Sequence, residues 1–163
     1  DLGLRNAGYY AVDSLRLEKG YRAWGRELTP DINPFEAGLA FAVNWAKGLF
    51  RGRAALEALK DAGGAASVNR RIVSLVAAAP QANLWGNELI LRDGEPVGFV
   101  TSAAFGHTCR RPVALGLVTN RNGSAEKAWI ETGSWEIDLA GTRLPAATSL
   151  RAPYDPAGQR VRS

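Results

Sequence analysis

The chain of 163 residues has no methionine, one cysteine and one histidine. A single thiol, Cys109, cannot form an internal disulfide, and with His107 as the only imidazole there are too few soft ligands for a structural zinc site. Nothing on the polar stretch around them orients His107 as a base for Cys109, so both read as ordinary residues near a turn. Long apolar runs are absent too: Leu39 to Ala46 and Ile72 to Ala79 are short and interrupted, so a membrane span is excluded and a soluble protein is expected. Asp1 to Asn6 carry an acid and no apolar stretch, so no signal peptide is visible, and a cytoplasmic location is inferred. No G-x-G-x-x-G sits on a strand-to-helix turn, so neither FAD nor NAD is assigned to these residues. The charge excess is small, 20 Lys plus Arg against 16 Asp plus Glu, and it is spread along the chain. A nucleic-acid surface would cluster its cations among aromatic platforms, whereas Arg70-Arg71 and Arg110-Arg111 stand alone and read as solvated charges. The lack of methionine excludes nothing and has no physical account.

What is present describes a folded chain. Hydrophobic residues at 46% and charged residues at 22% are close to globular averages, enough for a buried core. In the first segment Ala11, Leu15 and Tyr10 with Leu17 recur at helical spacing from Gly8 to Glu18, and Gly20 supplies a stop, which predicts a short helix. The Gly- and Pro-rich stretch 20–39 predicts a long ordered loop, with Tyr21 and Trp24 anchoring it to the core. Leu39 to Trp45 reads as a strand, and Gly52 to Ala62 as a second helix with Leu56 and Leu59 on one face. Helical signals then cease. Strands are predicted at Arg71 to Val76, Glu88 to Arg92, Pro96 to Ser102, Val113 to Val118, Ala128 to Glu131, Trp135 to Leu139 and Arg143 to Leu150. Asp93-Gly94 between two of them fits a two-residue type I′ hairpin, which requires positive φ at both positions. Short strands joined by turns favour a small antiparallel barrel over a parallel sheet, with a boundary near Ala66 to Asn69 and an irregular tail from Ala152.

The residues AVDSLRLEKGYRAWGRELTPDINPFEAGLAF resemble the glycine-cleavage T-protein pattern A-x-D-x-L-R-L-E, followed by G-x-D/E and P-x-E-A-G-L. The resemblance continues through F-x-G-R-x-A-L at Phe50 to Leu56, G-x-x-V-G-x-V-T-S at Gly94 to Ser102 and A-L-G-L-V at Ala114 to Val118. E-K-G-Y-R-A-W at Glu18 to Trp24 and P-Y-D-P-x-x-x-R-V at Pro153 to Val161 look like the C-terminal part of sarcosine and dimethylglycine dehydrogenases. The resemblance implies an α+β chain, in which residues 1–69 end a folate-binding aminomethyltransferase domain and residues 70–163 form the family's C-terminal β-barrel.

It also implies a reaction, transfer of a one-carbon unit from glycine or a methylated glycine to tetrahydrofolate. The catalytic aspartate would lie upstream, in a missing N-terminal part of the same protein, so this chain alone is expected to be inactive. FAD would belong to such an upstream domain, and a eukaryotic parent would sit in the mitochondrial matrix. By the resemblance Glu18 binds the pterin, since one carboxylate can accept two adjacent N–H donors. The spacing alone allows a surface pair of Glu18 with Arg16, Lys19 or Arg22 instead. Asn44-Trp45-Ala46-Lys47 stands where the family carries a folate-site arginine, and Lys47 supplies charge without the planar guanidinium fork. That departure leaves room for a relative that uses folate to sense or repair. Tyr154 lies near the family's C-terminal folate-site tyrosine, and Asp13 and Arg16 read as packing partners. A non-catalytic scaffold or docking domain of a dehydrogenase-like flavoprotein is the competing reading.

Overall fold

The computed structural model describes residues 2–160 and 162; Asp1, Ser163 and Val161, the last residue of the P-Y-D-P ending, lie outside them. Six strands dominate: β1 (Arg70–Ala77), β2 (Leu89–Arg92), β3 (Glu95–Gly106), β4 (Arg111–Thr119), β5 (Trp135–Leu139) and β6 (Thr142–Ser149). They close into a barrel in the order β1-β4-β3-β2-β5-β6, every neighbouring pair antiparallel. Closure leaves no exposed sheet edge, which is how a barrel of short strands avoids the unpaired backbone of an open sheet. Asp93 and Gly94 take φ of 53° and 84° at the β2–β3 hairpin, the left-handed geometry that Asp-Gly tolerates.

Each strand alternates faces, and the inward set is Val73, Leu75, Ile90, Val100, Ala114, Val118 and Ile137, all buried. β4 is apolar on both faces because a helix covers its outer side. Ile72, Val113 and Leu115 pack there against Leu17 of α1 (Tyr9–Glu18). Burial of that one leucine, fully withdrawn from solvent, contributes about 2 kcal/mol.

The helix ends as the sequence predicts. Gly20, at φ 64°, donates to Leu17 O at 3.0 Å, and Tyr21 donates to Arg16 O at 2.8 Å, the paired bonds of a Schellman stop. Its facing is different from the expected one. Ser14, Leu17 and Glu18 point inward, while Tyr10 and Leu15 are 78% and 60% exposed. The inward polar groups are satisfied by the barrel, Ser14 Oγ donating to Phe105 O at 2.7 Å. The second predicted helix is α2 (Arg53–Asp61), and the tail after Ser149 carries no regular element among the described residues.

Two predicted strands are not strands. Leu39 to Trp45 forms a 3-10 turn at Ala40–Ala42 and leads into a second at Trp45–Lys47, because a closed barrel offers no edge for it to join and Asn44 Oδ1 caps the second turn through Ala46 N at 3.1 Å. Ala128 to Glu131 falls in a single helical turn, α3 (Lys127–Ile130). There Ile130 plugs the core, and Trp129 meets Trp135 edge-on at 5.3 Å. Arg92 lies over both rings at 5.0 and 5.9 Å. Tyr21 and Trp24 are exposed, so neither anchors the loop to the core; Trp24 instead borders a shallow apolar hollow with Leu28, Ile32 and Leu39. No helix among the described residues is long and apolar enough to cross a membrane.

Candidate functional site

The motif carboxylates hold the N-terminal segment to the barrel. Glu27, from the G-x-D/E stretch, is fully buried. Its Oε1 accepts from Thr101 Oγ1 at 2.7 Å and from Ser102 Oγ, and its Oε2 accepts from Ala23 N at 2.8 Å and Arg16 Nη1 at 3.2 Å. A register shift between Val100 and Ser102 makes Thr101 an extra residue in β3. The resulting bulge lets two successive hydroxyls of V-T-S reach one carboxylate, which regular alternation would forbid. Glu36, from P-x-E-A-G-L, takes the Arg70 fork through Nε at 2.9 Å and Nη2 at 3.2 Å, a charge-assisted pair with fixed geometry. Asp13 binds Arg16 Nε at 2.7 Å, so both act as packing partners as expected. Glu27 and Glu36 stand at the acidic positions of these motifs, and their burial was not legible in sequence.

Glu18 does not meet Arg16, Lys19 or Arg22 on a wet surface. It is 1% exposed, and its Oε1 accepts the backbone N–H groups of Thr108 and Cys109, each at 2.7 Å. Burial raises the carboxyl pKa, while the bonds from Cys109 and Thr108 lower it by more, so the net value lies below the ordinary 4.5. Cys109 feels the converse: burial, then the bond and charge of Glu18, push its thiol up to about 11, leaving it protonated at neutral pH. His107 packs edge-on against Phe105 at 5.2 Å.

Two of the three predicted folate-site residues, Glu18 and Tyr154, are in direct contact. Tyr154 donates its N–H to the Glu18 carbonyl at 2.9 Å, and its side chain is half-buried. Lys47 is exposed and borders a separate hollow of about 320 Å³ with Ala42, Val43, Phe50 and Leu56. Glu18 Oε1 is engaged by the 107–110 turn. Arg71 is also not the solvated charge expected: it is 8% exposed, its Nη1 donates to Ala65 O at 2.9 Å, and burial lowers its pKa. An aromatic cleft of about 340 Å³ lies between α1 and the barrel and is bordered by Tyr10, Trp85, Phe105 and His107 with Asp13 and Arg26.

A closed antiparallel barrel with a carboxylate-locked helical segment on its outer face defines the class, and comparison with known proteins gives the family. Residues 70–155 match the glycine cleavage T-protein C-terminal barrel domain, and residues 1–47 match the GCVT N-terminal domain. The chain belongs to the glycine cleavage T-protein family. It is 37% identical over 162 residues to mitochondrial sarcosine dehydrogenase of Mus musculus, covering 98% of this chain and 17% of that protein. It is 34% identical over 159 residues to an aminomethyltransferase of Frankia alni, covering 98% and 40%. The crystal structure of glycine cleavage system aminomethyltransferase T from Bartonella henselae matches with a TM-score of 0.71 at 30% identity, over 88% of this chain and 37% of that one. The chain therefore spans between 17% and 40% of the length of these relatives. It is an aminomethyltransferase-like C-terminal domain, related to sarcosine dehydrogenase.

Proposed function

We propose that this chain forms the barrel side of a tetrahydrofolate-dependent aminomethyltransferase-like module, in a longer protein that passes a one-carbon unit from glycine or a methylated glycine to tetrahydrofolate. The observation that carries the proposal is the continuity of the two family regions. Glu27 of the first and Thr101 and Ser102 of the second form one buried cluster, so the helical segment is built into the barrel wall. The same segment turns Tyr9, Tyr10, Val12, Trp24 and Phe41 to solvent, an apolar face of the kind that marks an interaction surface. The preceding part of the same protein is its proposed occupant, supplying the opposite wall of the folate site. In this reading Tyr154 offers its ring and Lys47 its charge to the ligand, while Glu18 holds the 107–110 turn.

Tetrahydrofolate would accept the one-carbon unit; the residues here would bind and orient it, since no free carboxylate or nucleophile of the motifs remains to act on it. That last observation favours a second reading, a scaffold or docking domain in a sarcosine or dimethylglycine dehydrogenase-like protein, because Glu18, Glu27 and Glu36 are all engaged within the fold. Calorimetric titration of tetrahydrofolate into the full-length protein separates them. Weaker binding by Tyr154→Ala and Lys47→Ala at unchanged melting supports the transferase module, whereas a full-length protein that binds no folate leaves the scaffold.

A further inference from the structure

The two stretches that resemble the dehydrogenase branch, E-K-G-Y at Glu18 to Tyr21 and P-Y-D-P at Pro153 to Pro156, meet in the fold. Lys19 and Asp155 are 136 positions apart, yet Lys19 Nζ donates to the Asp155 carboxylate at 3.0 Å and to its backbone carbonyl at 2.9 Å. One residue earlier on each side, the Tyr154 N–H donates to the Glu18 carbonyl at 2.9 Å. The Ala152 backbone passes within van der Waals distance, 3.5 Å, of where a side chain on Gly20 would begin. Three consecutive residues at the end of α1 thus hold a short strap of tail.

The ion pair is shielded, with side chains 16% and 9% exposed, so it is screened by salt less than a surface pair. Asp155 also accepts from the N–H groups of Gln159 at 2.9 Å and Arg160 at 3.2 Å, folding the chain beyond it into a turn. Lys19 Nζ lies 6.0 Å from the Tyr154 ring centroid, at the outer limit of a cation–π contact. The Arg160 guanidinium lies at the same 6.0 Å from that ring.

We propose that Lys19 is a positioning residue: it clamps the strap 152–155 to the end of α1 and thereby fixes where the Tyr154 ring is presented. The inference rests on the reading of Tyr154 as ligand-facing. The test uses the full-length protein and its Lys19→Met, Lys19→Arg and Tyr154→Ala forms, with hydrogen exchange of the Tyr154 amide measured without ligand and tetrahydrofolate affinity measured by calorimetry.

Lys19→Met is expected to speed exchange at Tyr154 about tenfold and to weaken tetrahydrofolate about fivefold, and Lys19→Arg to restore both. Unchanged exchange in Lys19→Met overturns the clamp, however folate behaves. Faster exchange with unaltered affinity, where Tyr154→Ala does bind less tightly, overturns the positioning role. If Tyr154→Ala binds folate as well as the native protein, the ligand role of Tyr154 falls, while faster exchange in Lys19→Met still upholds the strap.

Discussion

A carboxylate in a motif can serve a ligand or the fold, and the surroundings of Glu18 and Glu27 separate the two. Glu18 binds two backbone N–H groups in a turn ninety positions away, a partnership that no local spacing reveals. Its folded pKa lies below the ordinary 4.5, so the unfolded chain takes up a proton more readily there. The stability it contributes is therefore complete above that ordinary value and is lost as pH falls through the lower folded value. The melting difference between the native chain and Glu18→Gln should be widest at neutral pH and should close below pH 4.5; a difference that persists unaltered at about pH 3 contradicts this. The facing Cys109 thiol, pushed up to about 11, stays neutral throughout that window. Glu27→Ala removes one partner of a buried charge pair and should cost about 3 kcal/mol in chemical denaturation, with Ser102 left short of an acceptor while Thr101 keeps Leu115 O and Arg16 keeps Asp13 and Tyr21 O.

At the scale of elements, local constraint was legible and tertiary partnership was not. The Asp93-Gly94 hairpin and the Gly20 stop follow from backbone torsions that few residues adopt, so they could be read from sequence. Which face of α1 turns inward could not, because the barrel supplies an acceptor for Ser14 at Phe105 and donors for Glu18, and that reverses the apolar rule. The Leu39 to Trp45 stretch has the composition of a strand, but a closed ring of six leaves it no partner. Gly106 shows how tightly α1 is seated. A Cβ there would stand 2.9 Å from Glu18 Oε1 and from Val113 Cγ1, so Gly106→Ala should destabilise the chain by about 1–3 kcal/mol. Leu17→Ala, which opens a void under the same helix, should cost about 3 kcal/mol. Equal melting temperatures for native and Leu17→Ala chains would show that α1 is not seated on β1 and β4.

For the whole molecule, the chain spans 17% of the length of mouse sarcosine dehydrogenase and 40% of the Frankia alni aminomethyltransferase. The barrel and the family were legible in sequence because the L-R-L-E, P-x-E-A-G-L and V-T-S motifs are fold-defining: they name the buried bonds that join segment to barrel. The contacts of Glu18 were less legible, since its partners at Thr108 and Cys109 lie far away in sequence. On the proposed reading, the 163 residues alone should show little transferase turnover and at most weak folate affinity. The most direct test is titration of tetrahydrofolate into the full-length protein beside its Tyr154→Ala and Glu18→Gln forms. The account predicts that the native protein binds, that Tyr154→Ala weakens binding at unchanged melting, and that Glu18→Gln lowers melting more than affinity. A native protein with no folate binding, or a Glu18→Gln form that loses binding without loss of stability, would contradict it.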